Sequence, residues 1–291
     1  MPTLAVIRKR IKTVTNTAKI TKAMKMIAAV KLRKMQQQAV NARAYSRKIE
    51  EMVHEITAQI DTTLHPLMRR PEKIKKSLVI LATSDRGLCG GYNSNIIRLV
   101  SQEILESKKE NRELEFITTG RKGRDFLRRV NLPIKLDLSG SSGSPDYSNV
   151  MDIANAIIKD FSDANYDEVK FIYNRFVSIL TQKATMEQLL PITRTEVSEH
   201  ADGSEDIKVI YEPSLGEILS SLLPRMIESR IYHTLLESAA SEHAARMTAM
   251  DSSTNNAKEM TDHLTLVMNR ARQSTITKEL MDIVNGAEAM R

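Results

Sequence analysis

Apolar and small side chains recur at steps of three and four along both ends of the chain. The first series runs Ile7, Ile11, Val14, Ala18, Thr21, Met24, Ala28, Leu32, Met35, Ala39 and Ala42, and continues through Ile49, Val53, Ile56 and Ile60. That spacing keeps one stripe of a helix turned toward a partner helix. A second series, Ala240, Ala244, Met247, Thr254, Ala257, Leu264, Met268 and Ala271, occupies the other end. Neither Thr3–His65 nor Arg225–Asn285 contains a Gly or Pro, the two residues that break helices. Each stretch therefore predicts a helix on the order of 90 Å long, where ordinary globular helices average about a dozen residues. Helices of that length need an extended seam, and the two series predict a pair. With a compact domain between them, antiparallel pairing is the simplest arrangement. The stripes are rich in Ala and Thr and poor in Leu. They allow close approach but bury roughly 0.8 kcal/mol less for each missing CH2.

The second long helix has a start signal in Ser214-Leu-Gly-Glu217, which has capping-box spacing. Pro224 falls inside the pattern and predicts a kink or a restart. Between the long helices the period changes. Ser77–Ser84 reads as a short buried strand, followed by the glycine loop Gly87-Leu-Cys-Gly90-Gly91 and a helix near Asn95–Ser107. Leu114–Gly120 predicts a second strand, Arg121–Val130 a basic helix, and Ile134–Leu138 a third strand. The Ser/Gly/Pro-rich Ser139–Asp146 predicts a loop and Tyr147–Phe161 an amphipathic helix. Glu168–Phe176 and Ile207–Tyr211 predict later strands, the last after the turn Asp202-Gly203. Strands alternating with helices predict an α/β layer with a mainly parallel sheet. The expected domains are a helix over 1–65, an α/β domain over 77–213 and a helix over 214–291.

Composition sharpens this picture in three places. Tryptophan is absent, and Met reaches 15; most of these methionines lie in the long helices, where they fill irregular contacts. The single Cys89 excludes an internal disulfide and any cysteine-rich metal site. The formal net charge is +7, and its placement matters more: 13 Lys and Arg and no Asp or Glu lie between Met1 and Lys48. The C-terminal helix cannot neutralise that excess, so an acidic partner is expected. No run of 18 apolar residues predicts a membrane span. The first ten residues lack the apolar core of a secretory signal, and the mature chain is expected to start at or near Met1.

Candidate chemistry is sparse. The loop Ser84-Asp85-Arg86-Gly87-Leu88-Cys89-Gly90-Gly91 follows the first strand, where nucleotide-binding folds place their phosphate loop. Its glycines match neither GxGxxG nor GxxxxGKS/T, and a tight turn presenting a surface to another subunit is the competing reading. Arg86 could lower the Cys89 pKa, but no His near in sequence could act as its base. The six histidines show no metal-binding spacing. The basic helix could face nucleic acid, an anionic membrane or acidic protein. Only Tyr45 is available for stacking, and the apolar face lacks the bulky residues of a membrane-surface helix. A protein contact fits both facts. A coiled-coil scaffold with a nucleotide-binding α/β domain remains the alternative.

Five segments carry a resemblance. Ile7-Arg-Lys-Arg-Ile11 and the run from Thr13 to Ala29, the loop Ser84–Gly91, and the segments Ser241–Asp251 and Asn269–Leu280 together resemble the gamma subunits of F-type rotary ATP synthases, collinearly over nearly the whole chain. The region from about Arg121 to Asp206 is only loosely similar. The resemblance implies a non-catalytic rotor shaft: an antiparallel coiled coil with a central Rossmann-like α/β domain, without cofactors. It implies partners as well: a ring of three alpha and three beta subunits, an epsilon subunit, and the membrane c-ring, with no nucleic acid and no direct membrane insertion. The location implied is peripheral, on the cytoplasmic face of a bacterial inner membrane, or the matrix side in a mitochondrion. By motif, Met24, Lys25, Arg272, Gln273, Thr277 and Glu279 would face the ring, and Tyr211, Glu212 and Pro213 would meet the c-ring. Asp85, Arg86, Gly87 and Cys89 belong to the family's central loop. The family's photosynthetic-type cysteine insertion is missing, so thiol switching is not expected.

Overall fold

The structure, a computed structural model, describes residues 3–59, 65–140, 143–192 and 214–288. The expected strand Ile207–Tyr211, its turn and seam position Ile60 lie outside those residues. The chain forms two compact units, Met1–Ala28 with Met247–Arg291, and Ala29–Arg246.

Helices α1 (Leu4–Gln59) and α5 (Leu215–Glu288) each contribute to both units. In the first unit they run antiparallel: Thr21 Oγ1 meets Thr254 Oγ1 at 2.7 Å, and one turn further along α1 Lys25 meets Asp251, one turn earlier on α5. The small-residue seam lies at this contact. Ile7, Thr21 and Ala28 are buried from one side, Met250, Thr254 and Ala257 from the other. Ile11, Val14, Ala18, Met24, Leu264, Met268 and Ala271 are half-buried. Among the described residues of this unit, no seam position is exposed.

The second unit is built on a five-stranded sheet of order β3-β2-β1-β4-β5. The strands are β1 (Lys76–Leu81), β2 (Glu113–Thr118), β3 (Ile134–Asp137), β4 (Glu168–Phe176) and β5 (Gln182–Leu190). The first four in that order are parallel, and β5 is antiparallel to β4. Strand β1 is apolar at successive positions because both faces are covered. Val79 and Leu81 pack with Ile96 and Val100 of α2 (Tyr92–Glu110) and Leu127 of α3 (Arg121–Arg129). Leu78 and Ile80 face the other way, into a core with Ile153 and Ile157 of α4 (Tyr147–Ser162). Val53 and Ile56 of α1 and Leu223, Ile227 and Ile231 of α5 complete that core. At the amino edge of the sheet a buried ion network joins α2 to β4. Arg112 contacts Glu103 at 3.3 Å and Glu168 at 3.0 Å, and Lys170 contacts both carboxylates.

Two expectations change. Helix α5 runs unbroken through Pro224, so the helix does not restart there. Proline removes one backbone donor, and the buried Leu223, Met226 and Ile227 beside it anchor both flanking turns in the core. Strand β5 is the second difference, since the residue pattern of Gln182–Leu190 does not predict a strand. Its Ala, Met, Glu, Gln and Leu favour helix in isolation, and pairing along the whole of β4 overrides that preference. The capping hydroxyl at the start of α5 is in place, with the Glu217 amide donating to Ser214 Oγ at 3.3 Å.

Candidate functional site

The residues expected to face a surrounding ring lie in the first unit. Met24 and Lys25 are half-buried, while Arg272, Gln273, Thr277 and Glu279 are exposed. Lys25 Nζ sits 2.6 Å from Asp251 Oδ1, with both side chains nearly half exposed. A pair that open to water contributes at most about 1 kcal/mol, so the ammonium is held in place while remaining available to a further anion. Three residues that the sequence reading passed over stand beside it: Ile20, Met26 and Ile27, all more than half exposed. Their helical spacing places them off the seam, which is the signal that could have found them.

The end of α5 is more unusual. Every residue from Arg272 to Ala287 is exposed, including Ile276, Leu280, Met281, Ile283 and Val284, at 48–68%. The predicted seam series stops at Ala271, one residue before this segment begins. The segment is a helix with apolar side chains and, among the described residues, no covering partner.

In the second unit the chemistry-bearing loop lies at the carboxyl end of β1. Strands β1 and β4 are neighbours at the reversal of strand order, the place where doubly wound folds open a nucleotide crevice. Here the loop's polar groups are taken up by the chain itself, on the β2 and β3 side of β1. Asp85 Oδ1 accepts from the Arg121 amide at 3.0 Å, at the start of α3, and from the Gly140 amide at 2.9 Å. A carboxylate thus sits where a helix amino end favours an anion. Thr83 Oγ1 accepts from the Gly123 amide at 2.8 Å. Any β-carbon on Gly120 would collide with the Thr83 carbonyl, so the loops after β1 and β2 touch backbone to backbone. Helix α5 lies on the same loop: the Tyr92 hydroxyl is 2.8 Å from Ser238 Oγ, and Arg246 donates to the Arg86 carbonyl at 3.4 Å. A nucleotide there would compete with the chain's own carboxylate.

Cys89 is buried in this loop beside Ser84 and Asn93. Burial pushes its thiol up from the ordinary value, the opposite of what a nucleophile requires. Leu88, one residue earlier, holds a left-handed backbone at φ 62 and exposes its side chain. Arg86 and Gly87 complete the turn. Among the described residues no three His, Cys, Asp or Glu side chains cluster to hold a metal, and no helix is long and apolar enough to cross a membrane. Tyr211, Glu212 and Pro213 lie outside the described residues.

Known proteins resemble this chain throughout. A family model described as "ATP synthase" matches residues 3–290. The ATP synthase gamma chain of Pelotomaculum thermopropionicum is 44% identical, with all of both chains covered. That of Geotalea daltonii is also 44% identical over the whole of both. A chain of the central stalk and c-ring structure of the Tetrahymena thermophila mitochondrial ATP synthase superposes with a TM-score of 0.57 at 28% identity. That match covers 80% of this chain and 98% of the other. A chain of the Euglena gracilis mitochondrial enzyme gives a TM-score of 0.63 at 19% identity, over 98% and 95% of the two chains, a likeness of fold.

Proposed function

Because the chain belongs to the gamma-chain family of ATP synthases, we propose that its paired helices turn inside a ring of three alpha and three beta subunits. The chain is a non-catalytic rotor subunit of that complex, and its contribution is mechanical. Met24, Lys25, Arg272, Gln273, Thr277 and Glu279 are the contacts with the ring in this reading, and Tyr211, Glu212 and Pro213 the contacts with the c-ring. An epsilon subunit would lie against the α/β unit. The complex would hold the chain peripherally at the cytoplasmic face of a bacterial inner membrane.

The observation that carries the reading is the bare end of α5. Five large apolar side chains along one helix end, open to water, call for a sleeve supplied by other chains. The charge of α1 supports an acidic lining to that sleeve. Of its cations in the first unit, Lys25 alone has a carboxylate partner among the described residues. The two helices present different side chains around the circumference, so each orientation would favour a different conformation of the surrounding catalytic subunits. Rotation then shifts their populations through differential contacts.

Co-expression with alpha and beta subunits tests this. The assembled complex should hydrolyse ATP, and in the complete synthase in reconstituted vesicles Lys25→Glu should lower ion pumping per ATP more than it lowers assembly. Unchanged coupling in that variant would remove Lys25 from the contact surface.

A further inference from the structure

Ser238–Ala245 of α5 are buried at eight consecutive positions, more than two helical turns, so the helix is enclosed on all sides there. A helix enclosed all round is ordinarily apolar all round. This one places Ser238, Ser241, Glu242 and His243 among alanines, each no more than 4% exposed. Ser238 and His243, with the flanking Glu237 and Arg246, bond in different directions. Glu237 Oε1 accepts from the Phe176 amide at 3.2 Å, and the Tyr173 hydroxyl lies 3.3 Å from Glu237 Oε2. Ser238 Oγ lies 2.8 Å from the Tyr92 hydroxyl. His243 Nε2 is 2.9 Å from the Gly143 carbonyl. A carbonyl can only accept, so Nε2 carries the proton and Nδ1 accepts from Arg246 Nη1 at 3.3 Å. Arg246 also reaches Glu242 at 2.7 Å and the Arg86 carbonyl.

Helical geometry distributes these bonds around the axis. At roughly 100° per residue, positions 237 and 246 point about 180° apart, with 238 and 243 on opposite flanks between them. Over these positions the alanine faces are smooth, so packing resists a turn of the helix about its axis less here than over residues 223–235, whose large side chains interdigitate in the core. Directional bonds on four sides do resist it, because a small turn misaligns all of them together.

We infer that residues 237–246 form a torsional lock, in which polar bonds on opposite sides of α5 fix its angular register within the α/β unit, so that a twist on either is passed to the other without slip. The inference rests on the rotor reading and names the place where torque enters the helix. Glu237, Ser238, His243 and Arg246 are its positioning residues. The partners come from separate loops and strands: Phe176 ends β4, Tyr92 begins α2, Gly143 precedes α4 and Arg86 follows β1. Burial keeps the imidazole neutral by holding His243 down to about 4, and neutrality preserves Nδ1 as an acceptor.

The test uses the complete chain assembled with alpha and beta subunits on a surface. A bead is fixed through a cysteine introduced at exposed Lys109, and its angular distribution is recorded in a stalled state. The double variant Tyr92→Phe, His243→Leu removes two of the four anchor directions while keeping apolar bulk. Its angular variance should rise, by up to about twofold if the four act as independent parallel springs, in a complex that still assembles although its melting temperature falls with the lost buried bonds. Unchanged variance in such a folded complex would overturn the lock. Should the double variant fail to assemble, Tyr92→Phe alone removes one hydroxyl without touching α5; a broader distribution supports the lock and an unchanged one overturns it. A wild-type complex that shows no rotation would instead overturn the rotor reading.

Discussion

Gly120 is held at the residue scale by one steric fact: the Thr83 carbonyl fills the space a side chain would take. Gly120→Ala should therefore destabilise the chain by about 2–3 kcal/mol through overpacking, read as a lower midpoint in urea. An unchanged midpoint would mean that the loops after β1 and β2 can separate freely. His243 makes a prediction of a different sign and cause. Its folded value is about 4, below the ordinary 6.5, chiefly through burial. Between those values the unfolded chain binds a proton that the folded chain does not. The stability contribution is complete above about pH 6.5 and is lost as the pH falls toward 4. His243→Gln keeps an amide donor for the Gly143 carbonyl and removes the titration. Its stability should fall less steeply across that window in pH-dependent urea melts, and an identical slope would assign the acid sensitivity elsewhere.

At the scale of elements, much was legible and the failures have physical causes. The long helices were readable because a seam leaves a period, and every described seam residue of the first unit is buried or half-buried. The parallel strands were readable because burial on both faces demands apolar runs such as Leu78–Leu81. Strand β5 was not, since an edge strand takes its conformation from β4 more than from its own residues. The polar collar on α5 was invisible for another reason: Ser, Glu and His at helical positions read as solvent-facing until their partners, distant in sequence, are known. The exposed end of α5 was visible in the pattern only as the place where the seam series stops, and in the family resemblance as Arg272, Gln273, Thr277 and Glu279. Pro224 marks the limit of local rules. Because the helix continues through it at the cost of one backbone bond, Pro224→Ala should stabilise the chain by about 1–3 kcal/mol, measured by thermal melting. A loss of stability would show that the proline ring itself is part of the packing.

At the scale of the whole molecule, the chain combines a tightly bonded α/β unit with a helix pair whose apolar end is uncovered. The first property suits a part that must bear load, and the second suits a part whose surface is completed by others. Deleting residues 272–291 should leave the α/β unit folded and weaken coupling between ATP hydrolysis and ion pumping, measured in reconstituted vesicles. Full coupling in the truncated complex would contradict the sleeve. The most direct measurement of the central claim is rotation itself: a bead on the α/β unit, watched while an immobilised ring of alpha and beta subunits hydrolyses ATP. Turning in one direction, with its rate following ATP concentration, is the expected result. Hydrolysis at the full rate beneath a motionless bead would contradict a rotor role for this chain.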